Sequence, residues 1–132
     1  MSVRGKLTVC VALLMLVCGK ALAGSDDVVQ GRAIYLHYCV SCHGLNAEGN
    51  GPVAPSLKTP PVNLRLLSDL YGNPLQEDKV ARAIDGRAEV AAHGPREMPV
   101  WGPIFDEISW DGAPGSVRIY NVTRYIQSLQ QK

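Results

Sequence analysis

No apolar run in this sequence is long enough to cross a bilayer comfortably; the longest opens at Leu7 and stops at Val17. With Arg4 and Lys6 ahead of it and Ala21-Leu22-Ala23 behind it, that run reads as a cleavable export signal, Met1 to Ala23, rather than an anchor. Lipidation at Cys18 is disfavoured by the bulky Val17 before it, where such sites take Gly, Ala or Ser. Removing the signal exposes a shortage of positive charge. Three of the 13 lysines and arginines leave with it and no acid does, so residues 24–132 carry 10 bases against 12 acids. That balance argues against nucleic acid and against a polybasic membrane patch, both of which need clustered cations. Cysteine is scarcer still, since Cys10 and Cys18 depart and only Cys39 and Cys42 remain. Internal repeats, a low-complexity tail and sustained strand-like alternation are also missing. What is left has room for one small domain with one core.

Both remaining cysteines lie in "YCVSCHG", Tyr38 to Gly44. Three chemistries use such a spacing. Structural zinc wants four ligands, and with no second cysteine pair only His37 and His93 are left to help. A thioredoxin-type dithiol needs a strand before it, whereas the residues before Cys39 have helical character. Covalent haem needs only what is present: two thiols for the two vinyl groups on one porphyrin edge, and His43 to reach the iron. Export suits the same reading, because c-type haem is attached outside the cytoplasm. One haem c, held through two thioethers, is therefore the expected cofactor.

The sixth iron position has few candidates. Met98 is the only methionine beyond the signal, and "REMPVWGPIF", Arg96 to Phe105, reads as a turn-rich loop stiffened by Pro99 and Pro103. A lone methionine is usually core filler, but a proline-rich loop is a poor place for filler. Met98 is thus favoured as distal ligand over His93, in the same region, and over His37, which lies too close to Cys39 to swing to the opposite face.

The pattern is all-α, with three or four helices expected around the haem. Ser25, Asp26 and Asp27 suit a helix start, and Val28, Gly31, Tyr35 and Tyr38 follow on one face. Asn73-Pro74 reads as cap and first residue of a second helix carrying Val80, Ala83 and Ile84, with Gly86 as its stop. Ser116 is the expected cap of a last helix in which Val122, Tyr125, Ile126 and Leu129 share a face. Between the first two helices, "GLNAEGNGPVAPSLKTPPVNL" is rich in Gly and Pro and reads as an ordered loop.

From Ser25 to Leu129 these residues resemble the class I cytochromes c, and within them the small exported bacterial type with a Met-Pro-x-Trp-Gly loop. Cys39, Cys42 and His43 match the attachment motif, and Met98 the axial methionine. The resemblance implies that Gly31 and Tyr35 pack against an aromatic of the last helix, here Tyr125. It also implies that Pro55, beside Leu57, lends its carbonyl to the proximal imidazole's Nδ1 hydrogen, with Pro52 a rival for that role. Trp101 is expected to line the haem, its indole N–H being suited to a propionate. Arg65, Arg87 and Arg96 are further propionate candidates, although a solvated surface role is the commoner one for each. "ISWDGAPGSV", Ile108 to Val117, departs from the family pattern and is unassigned; Trp110 within it is read as a loop anchor.

An iron held by histidine and methionine has no open position for a substrate, which makes the chain a carrier and not an enzyme. The expected function is single-electron transfer in the periplasm, by a monomer, between exported or membrane-bound redox proteins met transiently. Two alternatives stay open: a dedicated electron-relay subunit of an oxidoreductase complex, and a gas-sensing or peroxidatic haem protein whose sixth ligand is labile.

Overall fold

The structure, a computed structural model, describes residues 23–87, 97–108 and 112–130. The proposed signal, Met1 to Ala23, falls outside these residues except for Ala23, as do His93, Arg96 and Trp110 entirely. Among the described residues there is no strand, and the helices are α1 (Ala23–Tyr38), α2 (Val40–His43), α3 (Leu67–Tyr71), α4 (Glu77–Asp85), α5 (Trp101–Glu107) and α6 (Gly115–Ser128). Two 3₁₀ turns, Ala54–Ser56 and Leu64–Leu66, punctuate the long loop after α2. The chain is all-α, as its periodicity implies. Its helices outnumber the three or four expected because the haem motif and two loop segments coil into short helices of their own.

The first and last helices cross at the heart of the domain. Gly31 makes the crossing possible: a Cβ there would lie 2.6 Å from the Asn121 carbonyl carbon and 2.9 Å from Tyr125 Cβ. Glycine in a helix costs about 1 kcal/mol relative to alanine, and here close backbone approach is the return. One turn on, Tyr35 is fully buried and its ring sits 5.3 Å from that of Tyr125. Asn121 Nδ2 donates to Gln30 Oε1 at 3.0 Å and closes the same seam. Val122, Ile126, Phe105 and Val80 complete the core around this crossing.

Three helix starts or loops differ from the sequence expectation. Asn73 and Pro74 do not open α4; they form a cis peptide in the preceding turn, and Gln76 stands at the N-cap. Gly86 does end α4, in the left-handed region at φ 70°, with its N–H on Arg82 O. Ser116 does not cap α6, which starts at Gly115, because the capping group comes from another helix: Asp106 Oδ1 accepts from Gly115 N at 3.2 Å. Nor is all of Arg96 to Phe105 a loop. Trp101, Gly102 and Pro103 form the first turn of α5, where proline is tolerated because a first-turn N–H has no intrahelical partner.

The far end of α6 is tied to the loop. Gln130 Nε2 donates to Leu64 O at 2.7 Å and to Ile126 O at 2.8 Å, and its Oε1 accepts from Ser68 N at 3.0 Å. The segment running into α3 is therefore fastened by the last described residue of the chain.

Candidate functional site

The motif segment hangs from the end of α1. Cys39 N donates to Tyr35 O at 2.9 Å and His43 N to Cys39 O at 2.9 Å, so helical hydrogen bonding carries on through Cys39 into the single turn α2. Such a turn leaves carbonyls without intrahelical partners. The loop that follows satisfies three in succession: Val53 N donates to Ser41 O at 3.0 Å, Gly51 N to Cys42 O at 3.0 Å and Gly49 N to His43 O at 2.8 Å. Gly44, at φ 81°, starts the reversal, and Tyr35 Oη donates to its carbonyl at 2.5 Å. Gly51 lies so close to this turn that a Cβ would fall 2.7 Å from the carbonyl carbons of Ser41 and Cys42.

The His43 ring is oriented by a different carbonyl from the one expected. Nδ1 faces Val62 O at 3.3 Å. A carbonyl only accepts, so Nδ1 carries the hydrogen and Nε2 keeps its lone pair. Val62 is set in place by its neighbour, Leu64 N, donating to Ala47 O at 2.8 Å. Pro55 is exposed in the 3₁₀ turn that Val53 N anchors on Ser41, and Pro52 is exposed as well; the chain runs on through Pro60 and Pro61 before it returns to the imidazole. The prolines around position 60 carry the same backbone restriction as those at 52 and 55, so sequence alone offered several equivalent carbonyls and only the path of the loop separates them.

Met98 and Pro99, from the segment before α5, and Trp101, at its start, line the same space, and α4 contributes Ala83. Together with Tyr38, Cys39, Cys42, His43, Leu57 and Val62 they line one cleft of about 500 Å³. Met98 is half-buried and packs against the core, while Trp101 stacks on Phe105 at 5.2 Å and meets the Tyr38 ring edge-on at 5.6 Å. Glu97 spans the rim: its carboxylate accepts Lys58 N at 2.8 Å and Thr59 N at 2.6 Å. Those two backbone hydrogens, Thr59 first, hold the Glu97 carboxyl below the usual glutamate range. Sequence reading passed over both Glu97 and Val62, since neither residue type signals its role.

The cleft favours neutral groups. Burial first, and then the neighbouring Cys42, push the Cys39 thiol up to about 12. Burial also lowers the His43 imidazole below its ordinary value, against the opposing effect of the Val62 bond. Cys39 and Cys42 are free, not paired with each other. The cleft thus offers two thiols, a neutral imidazole with an available Nε2, a thioether and an indole. This donor set fits a tetrapyrrole joined through sulfur, with an imidazole and a thioether in the same cleft that could ligate its metal. Among the described residues no group of three or more His, Cys, Asp or Glu is arranged to hold a metal ion.

The remaining candidates lie elsewhere. His37 is exposed and rests edge-on against Tyr38 at 4.5 Å. Arg65 pairs with Glu48 at 3.9 Å. Arg87 pairs with Asp106 and with Asp85, the latter at 3.4 Å, beside a separate groove between α4 and α6. Among the described residues no helix is long and apolar enough to cross a membrane.

The family model described as cytochrome c oxidase, cbb3-type, subunit III matches residues 26–112, a span that holds the whole cleft. No curated protein and no solved structure matches the chain.

Proposed function

Because the chain belongs to the cytochrome c family described as cbb3-type oxidase subunit III, a family of covalent haem c and electron transfer, we propose that it is a monohaem electron carrier with histidine and methionine as axial ligands. In this reading residues 1–23 are a cleaved export signal and residues 24–132 the working domain, in the periplasm. Cys39 and Cys42 hold the haem by thioether bonds, and His43 and Met98 ligate the iron. When bound, the haem supplies one centre that changes charge by a single electron.

The chain's own residues do the rest. Val62 O fixes the His43 ring and its tautomer, which presents Nε2 as a donor and raises its basicity. Trp101 and Leu57 line the cleft beside these groups, and the Met-Pro-x-Trp-Gly stretch carries the thioether. The observation that carries the reading is one cleft lined by Cys39, Cys42, His43 and Met98 together.

The test is the absorption spectrum of haem-matured protein, wild type beside Met98→Ala, oxidised and reduced, with and without carbon monoxide. The expected result is a long-wavelength sulfur-to-iron band and refusal of carbon monoxide in the wild type, with loss of the band and binding of the gas in the variant. Carbon monoxide binding by the wild type, unchanged in the variant, would overturn the methionine assignment and favour a gas-sensing or peroxidatic role.

The family match also favours a second reading of the partner, in which the domain relays electrons within an oxidase assembly instead of diffusing between proteins. Purification of the matured chain from its own membranes separates the two. A partner retained through high salt supports the relay, and free release supports the shuttle.

A further inference from the structure

Glu97 stands immediately before Met98 and is exposed, so it adds nothing to the core. Yet it makes the direct hydrogen bonds across the rim of the cleft. Each carboxylate oxygen takes one backbone N–H, from Lys58 and from Thr59, 39 and 38 residues away in the chain. Two adjacent amide hydrogens received by two oxygens of one planar group fix an orientation as well as a distance. The segment clamped in this way carries Leu57 and Thr59, which line the same cleft as His43, Met98 and Trp101. On the C-terminal side of Met98 the chain is anchored at Trp101, whose ring is packed against Phe105 and Tyr38. Glu97 supplies the restraint across the cleft.

We propose that Glu97 is a positioning residue for Met98, its carboxylate clamping the Lys58–Thr59 backbone so that the methionine segment stays closed over the cleft. The proposal rests on the reading of Met98 as the axial ligand. An outside ligand reaches the iron only from the fraction of molecules whose methionine segment is open, so loosening the clamp multiplies ligand entry by the same factor as it multiplies that fraction. Glutamine keeps one acceptor oxygen and turns an amide N–H₂ toward the second backbone donor, so it retains half the clamp at most.

The experiment uses haem-matured protein at one fixed neutral pH. Imidazole entry into the ferric protein and carbon monoxide entry into the ferrous protein are timed in wild type, Glu97→Ala, Glu97→Gln, Met98→Ala and Asp106→Ala. Asp106 is the comparison because its carboxylate also receives a backbone N–H, at Gly115, away from the cleft. Glu97→Ala is expected to keep the sulfur-to-iron band and to admit imidazole about tenfold faster, with Glu97→Gln in between. Asp106→Ala is expected to lose thermal stability while admitting imidazole at the wild-type rate. Wild-type entry in Glu97→Ala, or equal acceleration in Asp106→Ala, would overturn the proposal. A Met98→Ala protein that keeps the band and the wild-type entry rate would show instead that the ligand assignment is at fault, and the role of Glu97 would fall with it.

Discussion

Replacing Gly31 with alanine sets two effects of opposite sign against each other. Alanine favours the helix by about 1 kcal/mol over glycine. The new Cβ, however, would sit 2.6 Å from the Asn121 carbonyl carbon and 2.9 Å from Tyr125 Cβ, where ordinary contact begins at 3.4 Å. The Asn121 carbonyl oxygen is nearer still. These atoms belong to the backbone and Cβ positions of α6, which cannot rotate away as a flexible side chain would. The helices must part by an ångström or more along their buried seam, unseating Tyr35, Val122 and Tyr125 together. Overpacking against side chains costs roughly 1–3 kcal/mol, and rigid backbone puts this site at or above the upper end. A net loss of about 2–3 kcal/mol follows, which for a domain of this size lowers the melting temperature by about 10 °C or more. The assay is thermal unfolding of the haem-matured protein, followed by far-ultraviolet circular dichroism. Gly112→Ala provides the contrast, since nothing lies within 4 Å of a Cβ there and only its φ of +72° resists substitution; about 1 kcal/mol is expected. A Gly31→Ala protein as stable as wild type, or more so, would refute the reasoning.

Tyr35→Phe removes the hydroxyl that donates to Gly44 O, but that carbonyl still accepts from Ala47 N at 3.1 Å and is not orphaned. The loss in a denaturant titration should therefore stay near about 1 kcal/mol; several times that value would mean that the hydroxyl serves more than this one bond. Asp106→Ala leaves Gly115 N without its acceptor and should cost about 1 kcal/mol, like the loss of an ordinary helix cap. An unchanged unfolding midpoint would show that the opening turn of α6 draws nothing from α5.

How far the fold was legible in the sequence depended on whether each feature is local. The face Gly31, Tyr35 and Tyr38 on α1, and Val122, Tyr125 and Ile126 on α6, follow from helical periodicity, and the helices pack by those faces. The left-handed stop at Gly86 is a property of one residue and was readable too. The start of α6 was not, because its cap arrives from Asp106 in a different helix. The first turn of α5 was misread since Gly102 and Pro103 signal a loop in isolation; Gly102 is buried against Asp85 and Arg87, a tertiary fact. At the site, the residue types with chemistry of their own were easily picked out, and Cys39, Cys42, His43, Met98 and Trp101 line the same cleft. The groups that orient them were harder. Val62 acts through a backbone carbonyl, which any residue possesses, and Glu97 through an acid like any other on a surface.

The seam between Gln30 and Asn121 joins residues 91 positions apart. Closing a loop of that length costs about 4 kcal/mol in chain entropy before any contact repays it. As the chain emerges in order, Cys39 and Cys42 appear early, on a helix whose partner has not yet been made. The crossing therefore cannot form until α6 is present, and until then α1 leads into the two cysteines without its packing partner. The helix crossing at Gly31 thereby sets an order of events, since the cysteines are made well before the helix that packs against α1.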